Sequence, residues 1–296
     1  MKTGVILVTL GGPRRPEEIP EFLQRFMGRT LSPPAQRAAV ERYGRIGGFS
    51  PLVRITEAQA KALQETLGPA YLCRPAFRYS DPSIGEVLDR IAKDGAARIR
   101  VLCLSPFFAS VTTGNYIAAA REHLERNPAA VPVDFLHSWH REPLFIESWA
   151  EQIRRQSLDD GAFYLFSAHS LPLRLAGEPY GGQIEETVER VAAAAGVVHR
   201  ALGWQSIPPG AAEPWMTPTV EERIAAAAAA GFERIVQVPI GFTADHLETL
   251  YDIDILHRRC AEGQGLSFRR IPSLNAETSF IRALKAIVRG GGADGR

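Results

Sequence analysis

An excess of charge of either sign is the first thing this sequence lacks. Its 34 lysines and arginines stand against 33 aspartates and glutamates, a net charge of +1. A nucleic-acid binder needs a basic surplus to release counterions, so nucleic acid is not an expected partner. Cysteine is scarce as well, with Cys73, Cys103 and Cys260 the only three. They lie far apart and two fall inside apolar, strand-like runs, which argues against a disulfide framework or a four-cysteine cluster site. No apolar run approaches the roughly eighteen residues of a membrane span. The opening GVILVTLGG lacks the charged flank and small-residue cleavage site of a signal peptide, so a cytoplasmic location is expected. The pairs Gly11-Gly12 and Gly47-Gly48 have neither G-x-G-x-x-G spacing nor a lysine-hydroxyl pair, and Pro13 removes a backbone donor, which excludes a phosphate loop. No glycine-flanked serine elbow marks a hydrolase.

What remains is an ordinary globular composition, 45% hydrophobic and 23% charged over 296 residues, enough for one large domain or two of about 150 residues. The most informative stretch is 234–254, RIVQVPIGFTADHLETLYDID. It reads as an apolar strand, a Gly-Phe turn and a helix opening on acids. On that helix Asp245, Thr249 and Asp252, and likewise Glu248 and Asp252, fall at helical spacing, so several oxygens would line one side. Acids at the carboxyl end of a buried parallel strand stand where open α/β sheets bind ligands.

Strands and helices alternate elsewhere too. Strands are expected at 5–10, 71–79, 98–107, 131–136, 163–167, 199–205 and 235–240, with helices at 17–27, 34–43, 56–67, 116–126, 183–195 and 278–288 between and after them. Thr56 is expected to start the third helix and Asp81-Pro82 the fourth, which ends near Lys93. A helix over 142–156 is expected to join two halves, and either Thr217-Pro218 or Thr219 with Glu222 to cap the alanine-rich helix ending at Gly231. The tail after that last helix is glycine-rich and polar, an expected disordered end. The alternation implies an α/β fold with two doubly wound, parallel-sheet halves facing a cleft.

His169, in FSAHSLP at a strand's carboxyl end, is the leading chemical candidate. With Glu248 it would offer an imidazole nitrogen and a carboxylate oxygen, a set compatible with Fe²⁺, Zn²⁺ or Co²⁺, or a proton-accepting pair near neutral pH. His123, His137, His140, His199 and His257 read as structural. His246 does too, because helical neighbours one apart point about 100° away from each other.

The blocks TLGGP, RYGRIGGFSPL, FRYSDP, FSAHSLP, GWQS and PIGFTADHLETLYDID closely resemble, in order, those of the ferrochelatases, which insert ferrous iron into a porphyrin. The resemblance implies two Rossmann-like halves around a porphyrin cleft: residues 1–128 with a C-terminal helix in 273–296 packing back on them, and residues 129–272. It implies that His169 and Glu248 face the pyrrole nitrogens and, with Asp252, handle the metal. Leu10, Phe49, Ser50, Arg78, Tyr79, Thr112 and Thr113 match positions that touch the macrocycle, line the cleft or hold propionates. The expected partners are a porphyrin and ferrous iron, with coproporphyrin III and protoporphyrin IX both open, in haem biosynthesis. No cofactor beyond the substrate Fe²⁺ is expected, and no iron–sulfur cluster, since Cys260 alone cannot hold one. A monomer or weak dimer with transient membrane contact completes the expectation. Leu256 stands where the family's acidic row usually continues, and LSPFFASVTTG lacks the tyrosine and glutamine that many members carry. A cobalt or nickel chelatase of a related tetrapyrrole and a non-catalytic porphyrin or haem carrier on the same fold are the competing readings.

Overall fold

The computed structural model describes residues 1–156 and 161–291. The chain divides into two compact units, Met1–Glu142 with Asn275–Arg296, and Pro143–Leu274. The first opens with β1 (Lys2–Thr9), in which Val5, Ile6, Leu7 and Val8 are fully buried, as befits a strand covered on both faces. It continues through α1 (Ile19–Met27), α2 (Pro33–Gly44), α3 (Leu52–Leu67), β2 (Tyr71–Phe77), α4 (Ile84–Lys93), β3 (Ala96–Cys103), α5 (Asn115–Arg126) and β4 (Val133–Leu136). The four strands run parallel in the order β2-β1-β3-β4.

The second unit holds α6 (Pro143–Arg155), β5 (Phe163–His169), α7 (Tyr180–Ala195), β6 (Arg200–Gln205), α8 (Val220–Ala229), β7 (Arg234–Val238), a π-helix over Glu248–His257, α9 (Arg258–Glu262) and β8 (Ser267–Arg270). Its sheet is parallel in the order β6-β5-β7-β8. Counted within each unit, both sheets read 2-1-3-4. In each, the chain leaves the first strand for one side and returns for the third on the other. That reversal opens a crevice at the carboxyl ends of β1 and β3 in one unit and of β5 and β7 in the other. The chain then returns to the first unit as α10 (Thr278–Ala286), which packs on α3 and brings Phe280 within 6.2 Å of Trp139.

Several expectations change. The division at 128/129 moves to 142/143, because Val133–Leu136 pairs with Ile99–Leu102 and so belongs to the first sheet. The helix expected to join the halves is α6, which packs on α7 inside the second unit. Thr56 does not start its helix: the buried Leu52 and Val53 extend α3 by a turn, and the Thr56 hydroxyl donates to the Leu52 carbonyl at 2.8 Å. Ser83, not Asp81-Pro82, caps α4, in a capping box with Glu86. Of the two caps offered for α8, Thr219 with Glu222 forms the box. The strand β8 has no counterpart in the sequence reading. The glycine-rich end at 292–296 lies outside the described residues.

Candidate active site

His169 closes β5, paired in register with Gln205 of β6, so its backbone is fixed at the crevice of the second sheet. The Tyr180 hydroxyl at the start of α7 donates to the His169 carbonyl at 3.0 Å, and burial pushes that phenol's pKa up, which keeps it a donor. The imidazole Nδ1 contacts the Ser170 carbonyl oxygen. A carbonyl only accepts, so Nδ1 carries the hydrogen and the neutral ring presents a bare Nε2. That Nε2 stands 3.6 Å from Glu248 Oε1, and both side chains are about one-third exposed, at 31% and 29%. The Trp215 ring lies 6.3 Å from the imidazole.

Glu248 opens the π-helix that follows the turn after β7. Gly241 brings this turn against β5: a Cβ there would fall 2.7 Å from the Cβ of Ala168, the neighbour of His169. The segment after Glu248 is a π-helix, with the Arg258 N–H reaching the Ile253 carbonyl five residues back. The α-helical spacing expected for Asp245, Thr249 and Asp252 therefore does not hold. Asp245 precedes the helix and accepts from Arg270 and Ser273 at 2.8 Å each. Asp252 is on the π-helix, 4% exposed, and accepts from the Ser206 hydroxyl at 2.5 Å.

The reading of His246 is also corrected. It lies before the helix, in the turn, so the 100° rule does not govern it. Its Nε2 is 3.4 Å from Glu248 Oε2 and its Nδ1 3.1 Å from the Ala244 carbonyl. Burial opposes charge on this ring. The hydrogen bond and charge of Glu248, with help from Ala244 and Asp245, outweigh it and raise its pKa. Glu248 thus sits between two imidazoles, one oxygen towards each. His257 is buried with Gln237 and Ser167, its Nδ1 3.1 Å from the Gln237 amide nitrogen and 3.2 Å from its oxygen, and burial pushes its pKa down to about 3. Among the described residues no group of three or more His, Cys, Asp and Glu side chains is arranged to hold a metal ion, so His169, Glu248 and Asp252 do not form a ready-made cage.

In the first unit, backbone pairing extends past the strands: the Arg78 and Tyr79 N–H groups donate to the carbonyls of Thr9 and Leu10 at 3.0 Å. Arg78 Nε donates to Asn115 Oδ1 at 2.9 Å, and Asn115 Nδ2 donates to the Tyr79 hydroxyl at 3.0 Å. The Arg78 guanidinium also lies 4.7 Å from the Tyr79 ring centre. Asn115 was missed in sequence because nothing marks a lone amide at a helix start. Phe49 lies under the Arg54 guanidinium at 4.4 Å. Ser50 is buried, its hydroxyl accepting from the Leu52 N–H at 3.4 Å. Thr112 remains half-exposed, whereas Thr113 is fully buried and donates to the Phe107 carbonyl at 2.7 Å. Of this pair, Thr112 is the one that reaches the surface.

A sequence model of the family described as ferrochelatase matches residues 2–291. The chain belongs to the ferrochelatase family. Its relatives include the ferrochelatase of Geobacter metallireducens, 36% identical across 98% of this chain and 99% of that protein. The coproporphyrin III ferrochelatase of Halalkalibacterium halodurans is 33% identical across 97% of this chain and 96% of its own length. The solved structure of SirB from Bacillus subtilis with Fe³⁺ aligns over 99% of the chain and 96% of SirB, with a TM-score of 0.60 and 13% identity, a likeness of fold.

Proposed function

We propose that this ferrochelatase-family chain inserts ferrous iron into a porphyrin, coproporphyrin III or protoporphyrin IX, in haem synthesis. The observation that carries the reading is the setting of His169: Nδ1 is committed to the Ser170 carbonyl, which turns Nε2 towards the Glu248 carboxylate as the nitrogen available to a proton. Insertion exchanges two pyrrole N–H protons for one Fe²⁺. A flat macrocycle hides its nitrogen lone pairs in its own plane, so binding energy from the periphery has to bend the ring before nitrogen can meet metal. In this reading His169 Nε2 accepts one pyrrole proton, releases it to solvent and then accepts the second, and Glu248 Oε1 stabilises the imidazolium that forms each time. Glu248 Oε2 passes the charge change to His246, whose pKa this carboxylate raises. Asp252, one turn on, offers oxygen to iron shedding its water. Arg78, Tyr79, Leu10, Phe49 and Thr112 of the first unit hold the ring and its propionates, guanidinium matching carboxylate and apolar side chains matching the flat face.

The reading includes no resident cofactor and no iron–sulfur cluster. Cys73 and Cys103 support it, since burial pushes both thiols up to about 12. It places the enzyme in the cytoplasm as a monomer or weak dimer that touches a membrane transiently. Among the described residues no helix is long and apolar enough to cross one.

The test is an anaerobic absorbance assay offering Fe²⁺ to coproporphyrin III and protoporphyrin IX in separate cuvettes, with Co²⁺ in a third series. Metallation by Fe²⁺ of either porphyrin supports the assignment and names the substrate. Binding without metallation by Fe²⁺ overturns it in favour of a carrier or another chelated metal. In the same assay His169→Ala is expected to lower kcat by about 100-fold or more, the scale of a positioned general base. Porphyrin binding, followed by fluorescence, should survive the substitution.

A further inference from the structure

One half-buried ionic cluster near the site takes no part in the chemistry above. Arg270, the last residue of β8, donates from Nη1 to Asp245 Oδ1 at 2.8 Å, and from Nε and Nη2 to the two oxygens of Asp254 at 2.8 and 2.9 Å. Ser273 Oγ donates to the same Asp245 oxygen at 2.8 Å. The three ionic side chains are 11%, 17% and 28% exposed, so solvent and salt screen these pairs weakly. Every donor and acceptor lies within the second unit.

The positions of the two carboxylates matter more than their number. Asp245 precedes Glu248 by three residues and Asp254 follows it by six, so one guanidinium grips the chain on both sides of Glu248. The grip spans the entry and the first seven residues of a ten-residue π-helix, whereas such ladders normally last a single turn, so support from outside the ladder is needed to hold it. Arg258 adds a second tie to β8, donating to the Asp254 carbonyl at 3.1 Å and to the Phe268 carbonyl at 3.0 Å. An arginine suits the position because its rigid fork serves two carboxylates at once, which the single ammonium of a lysine does not.

We propose that Arg270 is a positioning residue for iron insertion: by clamping Asp245 and Asp254 it fixes the start of the π-helix that carries Glu248 and so sets the approach of Glu248 to His169. The inference rests on the role assigned to Glu248 above. It gives Asp245 the work of an anchor, already committed to Arg270 and Ser273, in place of a member of an oxygen row.

The experiment compares the full chain with Arg270→Gln, Arg270→Lys and Asp254→Asn. Removing one partner of a buried pair can cost the fold, so Asp254→Asn, which keeps the side chain's shape and the Asp245 contact, decides if Arg270→Gln does not fold. Three quantities are read: hydrogen exchange by mass spectrometry, porphyrin affinity by fluorescence, and anaerobic kcat and KM for Fe²⁺. Expected for Arg270→Gln are faster exchange confined to 245–257, a kcat lower by about 10-fold or more as the paired groups lose alignment, and porphyrin affinity within about two-fold of the parent. Asp254→Asn should show the same pattern at smaller size, and Arg270→Lys should recover part of the loss. Unchanged kcat, or native exchange over 245–257, in a folded variant overturns the clamp. A fall in porphyrin affinity matching the fall in kcat also overturns it, because general loosening would produce that. Failure of the parent chain to metallate any porphyrin sinks the proposed reaction itself, and the clamp's catalytic role with it, an outcome distinct from an active parent with indifferent variants.

Discussion

At the scale of single residues, the proposed chemistry and the stability fall to different histidines. His169 and His246 flank a carboxylate, whereas His257 is 2% exposed and held neutral by burial. In the unfolded chain His257 takes up its proton near the ordinary value of about 6.5. Between that value and about 3, where burial puts it in the folded chain, the unfolded state binds the extra proton. Stability from this group is therefore complete above about pH 6.5 and falls as pH drops, by roughly 1 kcal/mol per unit. His257→Gln, which keeps a polar partner for Gln237, should shrink the stability lost between pH 7 and 5 by roughly 2 kcal/mol, read from urea midpoints. An equal loss in both proteins would assign the acid sensitivity elsewhere. His169 and Glu248 were legible in sequence because each sits in a long block at a strand's carboxyl end. His246 was not, since its meaning depends on whether residue 246 lies inside the helix or before it, and one residue of boundary reverses the answer.

At the scale of elements, most strands and helices declared themselves through apolar runs and capping residues. The π-helix could not, because its sequence satisfies an α-helical period nearly as well and only the hydrogen-bond ladder separates the two. Strand β8 hid for another reason: SFRR is short, and its Arg270 is explained by the carboxylates it meets, not by a face it presents. A tight join between elements, one made against backbone, is at Gly241, where the turn after β7 meets the end of β5. Gly241→Ala would put a methyl 2.8 Å from the Ala168 Cα, a backbone atom that cannot swing aside. Overpacking of this kind costs about 1–3 kcal/mol, so a fall of several degrees in Tm is expected. Iron insertion should fall further than stability alone accounts for, because the displaced strand end carries His169. A variant with parental Tm and turnover would show that the turn has slack.

At the scale of the whole molecule, the chain builds two parallel sheets with one strand order, and the α/β class followed from the alternation of elements alone. The unit boundary did not, because β4 follows its predecessor by a loop no different in composition from a linker. The first unit is discontinuous: α10 lays Phe280, Ile281 and Leu284 into the core beside α3. Ending the chain at Leu274 should therefore speed hydrogen exchange in β1, α3 and β3 while β5 and β7 keep their protection. Equal loosening of both units would contradict the division. The same discontinuity orders events during synthesis. Residues 143–274 are all synthesised before the helix that closes the first unit. The half bearing His169 and Glu248 can thus finish folding before the half that began earlier, a reversal of the usual vectorial order. The nascent first unit meanwhile keeps an apolar groove on α3 open, the stage at which a chaperone would find it.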